Sequence, residues 1–278
     1  MGWRKLIFKQ NQPIHIGSGK WGVIKETEIF ISGQTMWGAL TNLYILKNKA
    51  NSNNIEEIKG YFKTISNFFP SFDGKNILKP QYKNGEFYLG DFSESKFRAY
   101  FVDTLIQTAV EPLSRRAKDE SLHEIDYILP KPKKEFQNKK EFKEFKDNIY
   151  WIGIINTNKD NFLEEGLRVY VGADTRYGYG ELELIEITDL QDKCFWWIKE
   201  NDNMEIRIGE NSPYFIEISN NSLGFEGEEI LLAEFNYLQN IPSVKDAKFF
   251  INVGSKIKKM DNSTTVKLEK GKLIFSEE

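Results

Sequence analysis

The first fifty residues alternate between strand-like and helix-like patterns. Residues 3–9 alternate apolar and polar positions, as a half-buried strand does, and residues 27–31 predict a second strand. Glycines occur repeatedly between these two segments. Residues 34–48 place large apolar side chains at mainly helical spacing and predict a helix. The predicted order is strand, glycine loop, strand, helix.

The middle of the chain, residues 55–146, contains both helix-like and strand-like patterns. Residues 55–69 and 93–110 predict two helices, the second because phenylalanine, leucine and alanine recur four positions apart. Residues 86–89 predict a strand, and residues 122–129 an extended segment. Residues 131–146 consist mostly of Lys, Glu, Phe and Gln, which indicates a mobile loop or an exposed helix with solvated lysines.

A second strand–helix–loop–strand unit follows. Residues 149–156 are strongly apolar and predict a central strand, residues 160–168 a short helix, and residues 181–187 an alternating strand after the glycine-rich residues 172–180. Beyond residue 188 the pattern predicts only short strands between turns. Strands with segregated helices indicate an α+β fold.

The change of pattern predicts two domains, residues 1–188 and residues 189–278. The second is expected to be rich in β-strands, and a second, degenerate ferredoxin-like unit is one interpretation of it. A chain of 278 residues is long enough for one large domain or two small ones.

Composition narrows the functional classes. Hydrophobic residues make up 40% of the chain and aromatic residues 14%, which is enough for a packed core. The net charge of −3 counts against a free-standing nucleic-acid binder unless the cations cluster on one face. No apolar run approaches the roughly 18 residues of a membrane helix, and the first residues are too polar for a signal peptide, so we expect a cytoplasmic protein without membrane contact.

Metal and thiol chemistry have few candidate residues. The chain contains one cysteine, Cys194, and two histidines, His15 and His123. A disulfide within the chain is excluded, and a His/Cys metal centre is disfavoured, although magnesium held by carboxylates stays open. We predict no cofactor and no metal site, and we interpret Cys194 as buried and inert.

The most informative loop is GADTRYGYG at residues 172–180. Glycines allow close backbone approach, and successive N–H groups in such a loop can form an anion nest for phosphate. Arg176 would add charge, and Tyr177 and Tyr179 could stack on bases. A simple glycine-rich turn is the alternative.

The loop lacks the G-x-G-x-x-G spacing and precedes a strand, so a dinucleotide fold is disfavoured. Residues 17–20 (GSGK) are rejected as a phosphate loop because Trp21 follows the lysine.

Five segments together resemble the RAMP superfamily of CRISPR proteins. Four of them are residues 13–17 (PIHIG), residues 29–40 (IFISGQTMWGAL), residues 115–122 (RRAKDESL) and residues 129–132 (LPKP). The glycine loop, residues 172–182, resembles the family's glycine-rich motif. The resemblance covers about residues 3–187, which leaves the role of the C-terminal part open.

The resemblance implies a ferredoxin-like βαββαβ core, similar to RNA-recognition domains, within a type III effector complex of antiviral defence. The expected partners are CRISPR guide RNA (crRNA), other RAMP/Cas subunits and, indirectly, target RNA. The Cas group-five type, which caps the 5′ handle of the guide, is favoured over the backbone Cas group-seven type. Backbone members often carry a catalytic Asp between the first glycine turn and the first helix, and residues 18–35 contain none. We therefore expect no catalysis.

The candidate RNA-binding residues come from these motifs and their basic and aromatic neighbours. They are His15, Lys20, Arg115, Arg116, Lys118, Arg168, Gly172, Arg176, Tyr177, Gly178, Tyr179 and Gly180. Arginine suits phosphate because its fork binds two oxygens. Residues 115–118 could equally be a solvated loop, and both histidines could be structural.

Two other functions stay open. One is a metal-independent, guide-processing endoribonuclease, for which His15 or His123 would be the base. In such nucleases the glycine loop lies near the C-terminus, whereas 98 residues follow Gly180 here (278 minus 180). The other is a structural protein that only resembles the family and binds no RNA.

Overall fold

The computed structural model describes residues 2–49, 54–143, 145–218, 223–236, 241, 243–260 and 265–275. The helices are α1 (Gly33–Asn48), α2 (Ile55–Tyr61) and α3 (Glu94–Phe101). The strands up to residue 189 are β1 (Arg4–Gln10), β2 (Gly17–Trp21), β3 (Ile24–Thr27), β4 (Phe69–Ser71), β5 (Pro80–Lys83), β6 (Glu86–Leu89), β7 (Phe92–Ser93), β8 (Val102–Gln107), β9 (His123–Ile128), β10 (Tyr150–Ile155), β11 (Arg168–Tyr170) and β12 (Glu181–Asp189). The later strands are β13 (Phe215–Glu217), β14 (Leu223–Glu226), β15 (Glu229–Asn236), β16 (Ser243–Ile251), β17 (Lys256–Met260), β18 (Val266–Glu269) and β19 (Lys272–Phe275).

A five-stranded antiparallel sheet forms the centre of the molecule, in the order β11–β12–β1–β10–β4. Strands β1, β4, β10 and β12, with α1 after β1, follow the order of a ferredoxin-like unit: the fourth strand lies beside the first, the first beside the third, and the third beside the second. The connection from β10 to β12 contains single 3₁₀ turns and β11 where a second helix would stand. The predicted α+β, ferredoxin-like fold is confirmed in this strand order.

Strand β10 lies in the interior of the protein, and all six of its residues are buried. Trp151 and Ile155 belong to the main hydrophobic core, while Tyr150 and Ile152 form a small second cluster with Ile7 on the other side of the sheet. A strand covered on both faces needs apolar residues at consecutive positions, which explains its unbroken apolar run.

The C-terminal strands form a second sheet, in the order β15–β16–β13–β19–β18, beside the pair β14–β17. One continuous core includes residues from both sides of residue 188, with the rings of Phe30 and Phe215 6.1 Å apart. The Asn67 side chain accepts a hydrogen bond from the Gly33 N–H at 2.8 Å and donates to the Pro213 carbonyl at 2.9 Å. Contacts therefore cross the proposed boundary, and the division into residues 1–188 and 189–278 stays a prediction.

Two predicted helices are shorter than expected. Residues 93–110 were expected to be one helix, but α3 ends at Phe101 and β8 follows directly. The sequence VDTLIQ of β8 favours a strand, and pairing with β9 stabilises it. Residues 55–69 form α2 only as far as Tyr61, because the chain must reach β4 at Phe69.

Three further expectations need correction. The strand predicted at residues 27–31 lies earlier, as β3, and the helix predicted at residues 160–168 is a single turn before β11. In the described part of residues 131–146, Lys134–Phe136 and Lys140–Phe142 form two 3₁₀ turns instead of the exposed helix that was one of the two alternatives. Phe142, in the second turn, is buried against Tyr100 and Phe101, and this contact holds the segment on the surface.

A separate four-stranded sheet, in the order β2–β3–β9–β8, extends from the body. We refer to these strands and the connecting residues 108–122 as the arm. Its base is fixed by Val102 and Ile128, which are buried in the main core. Residues 108–122 are exposed except for the half-buried Ser121. The arm thus presents polar and apolar side chains to solvent without adding much to the core.

Candidate nucleic-acid interface

The glycine loop and the N-terminal turn PIHIG lie against each other, although about 160 residues separate them. The N–H of Ala173 donates to the His15 carbonyl at 2.9 Å, and the N–H of Gly180 donates to the Pro13 carbonyl at 2.7 Å. Gly172 has a φ of +77°, and a Cβ there would lie 2.1 Å from the His15 carbonyl oxygen. Only glycine allows this approach, which explains why the two motifs meet here.

The loop uses much of its backbone internally. Besides the N–H groups of Ala173 and Gly180, those of Tyr177 and Gly178 donate to the carbonyls of Asp174 and Thr175, at 2.8 and 3.4 Å. These four N–H groups are not available to a phosphate. The anion nest therefore has fewer free N–H groups than the nine residues of the loop, 172–180, would supply. The side chains of Arg176 and Tyr177 are exposed, the latter at 79%, and they carry the loop's accessible chemistry.

Tyr179 and His15 occupy different places from the ones expected for RNA contacts. The Tyr179 ring is half-buried and packs edge-on against Tyr127 of β9, with the ring centroids 5.5 Å apart. His15 is only 3% exposed, and its Nδ1 lies 2.7 Å from the Asp126 carbonyl oxygen. A side chain so buried offers RNA no surface, and His15 is corrected to a structural residue that joins the glycine loop to β9.

Strand registers divide the arm sheet into two faces. Lys20 lies opposite Lys25, and Lys25 opposite Ile125, so these residues share a face with His123 and Tyr127 of β9. Both lysines are exposed. We refer to Lys20, Lys25, His123 and Tyr127 as the basic face, which also carries the exposed Asp103, opposite Tyr127. Since Tyr127 contacts Tyr179, this face continues onto the glycine loop.

Lys25 and Tyr127 were missed at the level of sequence. The glycines at positions 17, 19 and 22 favoured a loop, so the hairpin of β2 and β3 and its lysine pair were not predicted. The alternation HEIDYI in β9 did carry the signal for Tyr127.

The basic residues of the arm tip are distant from the glycine loop. Arg115, Arg116 and Lys118 are exposed, and backbone hydrogen bonds such as Glu111 N–H to the Arg116 carbonyl (2.9 Å) give the tip a defined shape. From Tyr127 to His123 a strand spans about 13 Å, at about 3.3 Å per residue, and the tip lies beyond that point. The candidate residues therefore form two groups along one arm rather than one pocket.

Arg168 lies on the edge strand β11, next to acidic side chains. Its guanidinium is 3.8 Å from the Glu181 carboxylate, and its position in β11 is opposite Glu183. Tyr170 also donates to Glu181, at 3.1 Å. These carboxylates offset the charge of Arg168 and make it a weaker candidate for phosphate than Lys20, Lys25 or Arg176.

The side chain of His123 is held by two neighbours. Both ring nitrogens of His123 have partners, the Ser121 carbonyl at 3.0 Å and the Gln107 side chain at 3.1 Å. Among the described residues, no three His, Cys, Asp or Glu side chains are grouped to hold a metal ion.

Cys194 is exposed, not buried as expected, and its Sγ lies 2.7 Å from Nη1 of Arg207. No helix in the described part of the chain is long and apolar enough to cross a membrane.

Comparisons place this geometry among solved structures. No protein-family model and no curated protein matches the chain. A chain of the cryo-EM structure of type III-B Cmr-beta bound to cognate target RNA and AMPPnP matches with a TM-score of 0.60 and 15% identity, over 92% of this chain and 86% of that chain. A chain of Cmr-beta bound to cognate target RNA has a TM-score of 0.58 and 13% identity, over 91% and 86%. The chain has the fold of these type III CRISPR subunits.

The resemblance to type III RAMP proteins that rests on sequence motifs is thereby confirmed for the fold. The motif residues 13–17 and 172–180, which carry part of the resemblance at the level of sequence, meet in space.

Proposed function

We propose that the protein is a non-catalytic, crRNA-binding subunit of a type III CRISPR effector complex in antiviral defence. The observation that carries this proposal is the continuity of the basic face with the exposed part of the glycine loop. Lys20, Lys25 and Arg176 supply positive charge there, and Tyr177 supplies an exposed ring. Phosphate-binding cations beside an aromatic platform are the usual means of holding single-stranded RNA.

The placement of the cations supports the proposal despite the net charge of −3. Exposed cations lie on the basic face and at the arm tip, where Glu111, Asp119 and Glu120 accompany Arg115, Arg116 and Lys118. A guide RNA that runs along the arm would contact both groups. Neighbouring subunits would complete the positive channel, so the isolated chain need not be basic overall.

Within the complex, we favour the position that caps the 5′ handle of the guide, that of the Cas group-five type. The alternative is a backbone subunit of the Cas group-seven type. Residues 18–35 contain no Asp, and Glu28, one of the two acids there, is half-buried at the base of the arm. Both features support a role without target-RNA cleavage.

The first experiment is a gentle affinity purification of the tagged chain from its native host, with sequencing of bound RNA and identification of bound proteins. Short RNAs with a constant 5′ segment, together with other RAMP subunits, are expected. In parallel, Lys20→Gln combined with Lys25→Gln is expected to weaken guide-RNA binding at least tenfold. The slope of the logarithm of the binding constant against the logarithm of the salt concentration should become less steep by about 1.4. Each phosphate contact with a single strand contributes about 0.7 to that slope, and the double variant removes two contacts.

The matched control removes the same charge elsewhere, as Lys75→Gln combined with Lys267→Gln; both residues are exposed and lie outside the arm and glycine loop. Equal loss of binding in the two double variants would show that only net charge matters. A chain that purifies alone and free of RNA would contradict the proposal. Cleavage of repeat RNA by the purified chain, abolished by His123→Ala, would instead identify the nuclease.

A further inference from the structure

The arm sheet has a second face with a different chemistry. Trp21 lies opposite Ile24, Ile24 opposite Glu124, and Glu124 opposite Ile106, so these four residues form one row across all four strands. Alternation places this row on the side away from Lys20 and Lys25. The registers therefore separate an apolar row from the cations of the same strands.

Most of this row is open to solvent. Trp21 is 71% exposed, Ile106 63% and Ile24 36%. Single exposed apolar residues are ordinary, but Trp21 and Ile24 are direct neighbours and Ile106 shares their face beyond Glu124, a grouping typical of an interaction site. At the tip of the arm, Val110 and Leu113 are also exposed, at 59% and 101%.

Carboxylates surround the row. Glu26 accepts a hydrogen bond from Nε1 of Trp21 at 3.2 Å, and Asp126 accepts one from Thr104 at 2.7 Å. Both acids lie on the same face as Glu124, because they are two positions along their strands from members of the row. Of the residues that these registers place on the face, all within the described strands β2, β3, β8 and β9, none is Lys or Arg. We refer to Trp21, Ile24, Glu26, Ile106, Glu124 and Asp126 as the apolar–acidic face.

The base of this face is also acidic. Glu28, which follows β3, interacts electrostatically with Glu26 and with Glu94 of α3, while Arg98 opposes them. Arg98 is already paired with Glu94 at 2.7 Å. The negative charge of this face therefore comes mainly from Glu26, Glu124 and Asp126, because burial keeps a proton on Glu28 up to about pH 7 and Glu94 is paired with Arg98. RNA phosphates would be repelled here, although an exposed tryptophan alone could have suggested base stacking.

We propose that the apolar–acidic face docks a different protein, through a surface whose apolar residues are flanked by Lys or Arg. Trp21, on the edge strand β2, is the main apolar anchor, as tryptophans buried on binding are at many interfaces, and Glu26 and Glu124 select a basic partner. The arm would then separate two ligands, with RNA on the basic face and a protein on the other. This inference concerns the opposite face and does not rest on RNA binding.

The test uses a photo-crosslinking amino acid in the full, tagged chain, expressed in its native host. It replaces Ile106 on the apolar–acidic face or, as the matched position one residue on, Gln107 on the basic face. Crosslinked peptides and RNA are identified by mass spectrometry. The position 106 probe is expected to yield one protein, crosslinked at a peptide with Lys or Arg beside apolar residues.

Charge reversal completes the test. Glu26→Lys combined with Glu124→Lys should reduce the position 106 crosslink at least tenfold, and Trp21→Ala should weaken the same contact about thirtyfold, while bound guide RNA and the melting temperature stay unchanged. Crosslinks to RNA, to a second copy of this chain, or to nothing would overturn the proposal, as would a crosslink insensitive to charge reversal. Loss of RNA with the protein crosslink intact would contradict only the RNA-binding role.

Discussion

The central sheet and the arm are both built of antiparallel strands, but they use their residues differently. Every residue of β10 is buried, whereas Val102, Ile125 and Ile128 are among the few buried residues of β8 and β9. In the sheet, side chains are constrained by their neighbours on both faces. In the arm, each face is free to carry its own chemistry, with cations on one side and an apolar row among carboxylates on the other.

Because of this difference, the residues of the central sheet determine mainly the stability of the fold, and those of the arm determine mainly what the protein binds. Truncating a side chain in the central sheet leaves a cavity and lowers the free energy of unfolding. Truncating one on the arm changes what the surface binds and leaves folding almost unaffected, since exposed substitutions usually change stability by no more than about 0.5 kcal/mol. Matched substitutions in the two regions measure how complete the separation is.

The largest expected effect comes from a pair of tryptophans. Trp151 in β10 is fully buried and donates to the Gln10 side chain at 3.1 Å, whereas Trp21 is 71% exposed. Trp151→Ala is expected to lower the free energy of unfolding by about 3–5 kcal/mol, and Trp21→Ala by no more than about 0.5 kcal/mol. Urea denaturation of both variants checks this. A loss above about 2 kcal/mol for Trp21→Ala would show that its row belongs to the folded core.

A smaller effect, dependent on pH, is expected where the arm joins the body. Burial raises the pKa of Glu28 from 4.5 to about 7; Arg98 opposes the shift, and the carboxylates of Glu94 and Glu26 add to it. Between these two pH values the folded state keeps a proton that the unfolded state has released. The stabilisation is therefore complete below pH 4.5 and lost as pH rises through 7.

Glu28→Gln should remove this dependence, because the amide stays neutral. Above pH 7 the variant is expected to be more stable than the natural chain by up to about 3 kcal/mol. Denaturation curves between pH 4.5 and 8 measure the difference, with Glu164→Gln, at an exposed position, as the control for lost charge. Parallel stability profiles for the natural chain and Glu28→Gln would contradict the assignment.

The sequence pattern predicted secondary structure correctly where an element packs in the core. The unbroken apolar run of β10 and the helical spacing of α1 both predicted their elements, because core packing imposes one period on the residues. Ser32 caps the start of α1, one residue before its first turn, and accepts the Thr35 N–H at 3.2 Å. The glycine loop was located correctly, since the close approach to the His15 carbonyl requires glycine at position 172.

The arm was poorly predicted because its strands are stabilised by pairing rather than by burial. Phe97 and Phe101 continued into Leu105 at helical spacing, yet β8 starts at Val102. Nothing local indicated that residues 102–107 would pair with residues 123–128. The two-faced chemistry of the arm follows from the registers of four strands, and no single segment contains it.

The finest comparison lies within the glycine loop itself. Gly172 and Gly178 both have positive φ, +77° and +87°, but a Cβ at Gly172 would meet the His15 carbonyl, whereas a Cβ at Gly178 would point into open space. Alanine at Gly178 should cost only the backbone strain, about 1 kcal/mol. Alanine at Gly172 should cost about 1–2 kcal/mol more, because the two motifs must move apart. Thermal denaturation and guide-RNA binding of both variants test this: equal effects would mean that the loop is held by its own turns, and that the contact with His15 does not shape the RNA surface.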